Sequence, residues 1–599
     1  MRDRPDKGCY DIWRPRVRIG GKASREKGFV LVIVLIIIAA LALLALAANR
    51  NMLTDIGIAQ NHGGNTKSFY AAEAAAEYAY NQFNAQLMAG TVPTGSVDYT
   101  NAVPNVGCQI NSAKAAAASA AYGPTPSVQQ TITSSTPRLS SYAGLTSWVT
   151  QYTVSATATD PNTSAVSTVS LDTTQYLVPI FQFGIFYDGL LEMNPGANLN
   201  IPVNGWIHTN STLFTSTSAT ETINSHITSV GNIDHGRAPN DTTAWGTGTV
   251  QIEGKDGQYH NLDNGSQTYS AGSWGANSNW ASTVQQWGGN VANLTQPLTL
   301  PLPQAASNQN SEYQGNEYIL SSSGPQTMAS QAAVIITDGV AKDAQGNTLT
   351  NVAGITTTST MWDYRQQATV HLITIDVNAF QNCTAVKNNL AKPTAGGTPG
   401  VLYVTSSNTN QYMAVQLTNG STLASTGNWS NNGTPVGLTV ATDLPAYVQG
   451  DYNKTNASNS SYPPPAAIMS DAMTILSNNW QNSYSNSTSL SPGRNVNSSL
   501  TINADVMTGN SSTTAQNGYG GGFENFIRFL ENWSGQNFNF GGSLVCMWQS
   551  QKAQGKWVAP GTYYQPPNRN YTFGVFGNNN WPPGTPKAIV VARGTWRQQ

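Results

Sequence analysis

Enzyme chemistry would have to come from histidines, cysteines and acids, and in these 599 residues they are few and scattered. His62, His208, His226, His235, His260 and His371 form no H-x-x-x-H or H-E-x-x-H spacing of the kind that holds zinc on a helix face. The nucleophile-elbow pattern G-x-S-x-G is absent, and so is C-x-x-C. The glycine run at Gly518–Gly522 precedes a helix-like pattern and has the look of a phosphate cradle, but the Lys-Ser/Thr of a P-loop is missing. Asp338, Asp343 and Asn347 could face a calcium ion, yet they lack the alternating oxygen ligands of an EF-hand loop and read as a hairpin turn. Asp188 with Glu192, and Glu524 with Glu531, are carboxylate pairs of the type glycoside hydrolysis needs. With 30 acids in the chain, such pairs also arise by chance. None of these sets makes a catalytic site. The chain reads as no enzyme, with no metal and no cofactor.

Binding chemistry is better represented. The 15 tryptophans and 25 tyrosines often stand beside Asn, Ser or Gly, as Trp274, Trp280, Trp429, Trp480 and Trp581 do. Aromatic faces with amide neighbours suit sugars. Aromatics also fill the cores of loop-rich β domains, and residue by residue that is the commoner use. A cell-surface or polysaccharide ligand is the partner these residues would serve.

The element that must carry all of this is Phe29–Ala48, twenty residues without a charge. As a helix at about 1.5 Å per residue it spans roughly 30 Å, the hydrocarbon thickness of a bilayer. Met1–Gly28 before it holds nine basic and four acidic residues, leaving 19 basic and 26 acidic after it. A basic leader stays in the cytoplasm and the long remainder is exported. The acidic remainder, with no basic run, argues against nucleic acid as a partner. The apolar run is longer than the core of a cleaved secretory signal, so a plain signal anchor is the simplest alternative.

Lys27-Gly28-Phe29 marks the boundary between leader and helix, and FYAAEAAAEYAYNQF follows at Phe69–Phe83. In that order these features resemble the type IV pilin-like proteins, and PilX-type minor pilins in particular, over residues 20–90. The resemblance implies cleavage between Gly28 and Phe29 by a prepilin peptidase and N-methylation of Phe29. It further implies packing against other pilins through the helix, and handling by the inner-membrane pilus assembly machinery. One departure stands out: the fifth mature position, usually glutamate in pilins, is Ile33. A buried carboxylate needs a partner in the membrane, so a subunit without one suits a place with nothing above it. The resemblance therefore implies a low-copy, tip-located or priming subunit. Two alternatives stand beside it: a K-type pseudopilin of type II secretion, and a signal-anchored exported protein that acts on or binds polysaccharide.

Phe69, Ala72, Ala76, Tyr80, Phe83 and Leu87 recur at helical spacing and predict one apolar stripe. The expected fold is α+β: a long pilin-type helix, transmembrane in its first half, then a large β-rich ectodomain with short C-terminal helices. The expected units are a leader (1–28), the anchor helix (29–90), a connector with a β-hairpin (91–182), a solenoid-like region (183–460) and an aromatic-rich α+β region (461–599). The hairpin places Val154, Ala156 and Ala158 opposite Ala165, Val169 and Leu171 across a turn at Asp160–Asn162. Short strands punctuated by Asn and Gly suit a parallel β-helix or an irregular β-sandwich, with Gly196–Phe214 and Gly437–Asp451 as candidate rungs around a polar Gln258–Ser323 insertion. No fixed period is visible. Helical spacing also predicts one helix through Ala467, Met469, Ala472, Ile475 and Leu476, and another through Phe523, Phe526, Ile527, Leu530 and Trp533. Of the cysteines, Cys9 lies in the leader. Cys108, Cys383 and Cys546 allow one disulfide of undetermined pairing or three free thiols.

Overall fold

The computed structural model describes residues 29–599 apart from 92–94, 118–127, 195–204, 242–247, 263–283, 302–317, 325–326, 392–396, 424–429, 432–433, 436, 455–461, 489, 491–492, 512, 515–517 and 578–579. Gly28, Cys9, Trp274, Trp280 and Trp429 lie outside the described residues, as does most of the Gln258–Ser323 insertion. The chain is α+β. It opens with helix α1, Phe29–Met88, 60 residues long, which ends where Gly90 takes φ 74° and returns its N–H to Leu87.

Against the C-terminal half of α1 lies a sheet in the order Val97–Asp98, Gln109–Ala117, Thr146–Thr159, Val166–Pro179 and Lys587–Gln598, with Val128–Thr131 pairing the third of these at one end. The expected hairpin is present, with Val154 opposite Leu171 and Ala156 opposite Val169. These side chains are buried against Ala72, Ala76, Ala79 and Phe83 of α1. The buried stripe of α1 is displaced from the expected one. It runs through Gly64, Ser68, Ala71, Ala72, Ala75, Ala76, Ala79, Phe83 and Leu87. Phe69 and Tyr80 flank this lane, half-buried, because small residues let the helix approach the sheet closely.

The rest is a parallel β-helix. Its longest face has eleven strands in spatial order: Val291–Ala292, Ile227–Ser229, Trp206–Thr209, Phe183–Tyr187, Leu544–Gln549, Asp505–Asn510, Ala466–Ser470, Leu438–Thr442, Thr398–Thr405, Ala332–Thr337 and Val340–Asp343. Every adjacent pair is parallel except the last, a hairpin turned by Asp338 and Gly339, both at positive φ. A second face stacks Ala368–Asp376, Met413–Thr418, Ala446–Gln449, Met473–Leu476 and Arg528–Phe529 in parallel. A third stacks Leu500–Asn503, Asn537–Gly541 and Asn568–Thr572. The expected rung Gly437–Asp451 supplies a strand to each of the first two faces.

Register explains the core. Val334, Leu402, Val440, Ile468, Val506, Leu544, Ile185, Ile207, Ile227 and Val291 stand directly above one another through ten rungs. All ten are buried. Each such side chain contributes about 1.5–3 kcal/mol on full burial. A second stack, Ile375, Leu417, Val448, Ile475 and Phe529, runs beside it and is also buried.

The order of strands shows an unusual path. The chain enters the long face in the middle at Phe183–Tyr187 and builds outward to Val291–Ala292. It resumes at the far end near Ala332–Thr337 and coils back, until Leu544–Gln549 docks beside the entry strand. It then returns as Lys587–Gln598 to pair antiparallel with Val166–Pro179.

Both helices expected in the C-terminal part are overturned. Ala466–Ser470 and Met473–Leu476 are strands on two faces, joined at an Asp471–Ala472 corner. Every residue from Pro464 to Ser477 is buried, so apolar spacing there carried no information about one face. Around Phe523 only a 3₁₀ turn, Phe523–Asn525, and the short strand Arg528–Phe529 form. Glu524, Arg528 and Glu531 are as buried as the aromatics, so the segment has no solvent face for a helix to show.

Candidate functional site: the unpaired half of the long helix

Helix α1 is two elements in one. From Gly64 onward it is held by its own chain. Gly64 meets the hairpin turn so closely that a β-carbon there would fall 1.9 Å from Thr163 Oγ1. The turn itself is fixed by Asp160, whose carboxylate accepts from the Thr163 hydroxyl at 2.7 Å and the Thr163 N–H at 3.1 Å. These bonds hold Asp160 below the usual carboxylate range, and Lys67 of the helix lies 3.7 Å away. Ser68 and Ser167 share a buried hydroxyl–hydroxyl bond of 2.7 Å. Farther along, Arg593 of the returning strand pairs with Glu77 and lies over the Tyr80 ring. Phe83 meets Tyr152 edge-on at 4.9 Å.

From Phe29 to Gly57 the helix has no buried side chain. Phe29 is 71% exposed and Ile33 41%, and leucines, isoleucines and valines are exposed all round. This is the one helix among the described residues long and apolar enough to cross a membrane. In lipid such a segment satisfies its own backbone groups, and its side chains need only other apolar surfaces. No ionisable group lies between Phe29 and Ala48, so Ile33 leaves that stretch without a charge to pair.

The other candidates from the sequence resolve into structure. Cys108, Cys383 and Cys546 are free thiols. Asp343 accepts the N–H groups of Gln345 and Asn347 in a tight turn, and Asp338 accepts from Ser406 and Ser407. No group of three or more His, Cys, Asp or Glu able to hold a metal occurs among the described residues. The paired carboxylates are rearranged. Asp188 accepts from Asn210, while Glu192 and Glu524 converge on Tyr519. Glu192 accepts from Thr513 at 2.7 Å, and Glu531 takes both the N–H and the hydroxyl of Ser477 at 2.6 Å. Burial pushes Glu192, Glu524 and Glu531 each up to about 7. They tie rung corners together, and none of them lines the clefts found on the surface.

Among the singled-out tryptophans, Trp480 is buried and donates to Asn482, which makes it core. Trp581 packs at 5.1 Å on Trp148 and lines a half-open cavity of about 440 Å³ where the sheet packed on α1 meets the β-helix. Nothing local in the sequence marks its other walls, which come from stretches as far apart as Thr131, Gly205 and Ser543.

Residues 27–77 match the PilX N-terminal family. Over that module the chain is partly similar to minor pilins. No curated protein matches the chain. Among solved structures, the crystal structure of the competence-associated pilin ComZ from Thermus thermophilus is matched at 9% identity and a TM-score of 0.22, over 90% of this chain and 97% of that one.

Proposed function

We propose that the chain is a minor pilin-like structural subunit of a type IV pilus, cut after Gly28 and methylated at Phe29. The observation that carries this reading is the division of α1. A charge-free stretch, Phe29–Ala48, with no buried side chain continues into a C-terminal half locked onto a sheet, in a chain whose residues 27–77 match the PilX N-terminal family. Before assembly the apolar half crosses the inner membrane, with the leader cytoplasmic and the ectodomain exported. Prepilin peptidase removes the leader, the assembly machinery extracts the subunit, and the same apolar half packs among the helices of other pilins. Ile33 in place of the usual glutamate supports a low-copy position at the tip, where the β-helix would serve priming or adhesion.

Mass spectrometry of the N-terminus, on protein from membranes and from sheared surface filaments, tests the reading. Methylated Phe29 in the filament fraction is the expected result. Intact Met1 confined to membranes would overturn it and leave a signal-anchored surface protein.

A further inference from the structure

The seam cavity has a composition that the structural role of the helix does not use. Its walls are aromatic: Trp206, Phe573, Phe576 and Trp581. Trp206 is itself held by stacking on His226, with ring centroids 4.3 Å apart and planes 7° apart. The floor is formed where Gly184 and Gly205 meet. A β-carbon on Gly205 would lie 2.9 Å from the Gly184 backbone and 3.2 Å from Phe573, so no side chain fills this space. At about 440 Å³ the cavity is in the range of small-molecule sites.

One charged side chain lines it, Asp505. This residue is 4% exposed and sits on the long face of the β-helix, where one oxygen accepts the Ser543 N–H at 2.8 Å. Among the described residues no lysine or arginine lines the cavity. Burial raises the Asp505 pKa to about 8, and a cation bound beside it would favour the carboxylate form. Asn580, at the rim, donates its amide to the Phe576 carbonyl at 3.0 Å, which turns its amide oxygen into a second acceptor. Gln182 is occupied on both sides by Thr146 and acts as wall. The site thus offers acceptors and ring faces. Ring faces attract cations and pack on apolar faces of sugar rings.

We propose that this cavity binds an amino-sugar residue of an extracellular polymer, its ammonium group paired with Asp505 and its ring held between Trp206 and Trp581. The proposal rests on the surface-subunit reading above and names the ligand class of its adhesive face. Sugar is favoured over a free lysine side chain because the cavity is wide and has flat aromatic walls, whereas a thin alkyl chain would leave much of it unfilled.

The test is calorimetric titration of the detergent-solubilised full chain with glucosamine hexamer, N-acetylglucosamine hexamer and a lysine-rich peptide. Saturable binding of the glucosamine hexamer, at least tenfold tighter than the N-acetylated one, is expected. Asp505→Asn keeps an acceptor for the Ser543 N–H and should leave the melting temperature within a few degrees while weakening that binding at least tenfold. Trp581→Phe, which keeps a ring, should weaken it less than Trp581→Ala. Equal binding of the two hexamers, indifference to Asp505→Asn, tighter binding of the peptide, or no binding to folded protein would each overturn the proposal. N-terminal processing is read independently, so failure of one reading is distinguishable from failure of the other.

Discussion

Neighbouring glycines in α1 show how much position decides at the scale of one residue. Gly63 faces open space, while Gly64 is pressed against Thr163. Gly63→Ala should therefore stabilise the helix by about 1 kcal/mol, the usual helix-interior difference. Gly64→Ala has the same propensity gain but must push the hairpin turn away, and should lower the melting temperature of the solubilised chain. Circular dichroism melts of the two variants check the contrast, and a rise for both would refute the close approach. Sequence alone could not have told these glycines apart, because what separates them is a threonine about a hundred positions later. The same holds for Asp505 and Glu524, which look like any surface acids until the rungs close over them. The charge-free run Phe29–Ala48, by contrast, is legible at once, since such a run needs no tertiary context.

At the scale of elements, the stack through Ile468 is where the β-helix is most sensitive. Ile468 has Val440 on one side and Val506 on the other, all fully buried. Ile468→Ala should cost about 2–5 kcal/mol, read as a lower midpoint in denaturant unfolding; a loss well under 1 kcal/mol would mean that the stack is not continuous. The anchor helix, the hairpin and the β-rich character were readable, because each declares itself through local periodicity and turn residues. The β-helix was only half readable. Stack members recur 38 residues apart at Leu402 and Val440, and again at Ile468, Val506 and Leu544, but 28 apart between Val440 and Ile468 and 20 apart between Ile207 and Ile227. Corners of unequal length erase the period while leaving the register intact. The two misread helices failed for a related reason: a rung segment buried on both faces has no polar side from which a period can be judged.

At the scale of the whole molecule, buried acids set the response to pH. Glu192, Glu524 and Glu531 are raised to about 7, and Glu221 and Asp505 to about 8, all by burial. Unfolded, such groups ionise near pH 4. Between about pH 4.5 and 8 the folded chain therefore binds more protons than the unfolded one, and stability falls as pH rises through that window. His208 opposes this. Burial lowers it to about 4, so the folded state loses stability as pH drops below about 6.5, where the unfolded imidazole takes up its proton. Burial lowers His226 as well. With Asp234, which burial raises to about 6, these carboxyls outweigh two imidazoles, and the melting temperature should be higher at pH 5 than at pH 8. Glu221→Gln, neutral throughout, should flatten part of that slope. A melting temperature that climbs from pH 5 to pH 8 would contradict the assignment.

The return of the chain to its starting sheet also fixes how tension is carried. Pro179, where the chain leaves for the β-helix, is paired with Lys587, where it comes back, and from there the two strands run antiparallel as far as Val169 and Gln598. A pull on the β-helix thus reaches α1 along the covalent backbone through Val166–Pro179. Whatever part passes through the returning strand pulls along that ladder, so its hydrogen bonds share the load together. A chain built this way resists shear at its neck, because its last strand must slide past its neighbour as a unit before the β-helix can swing free.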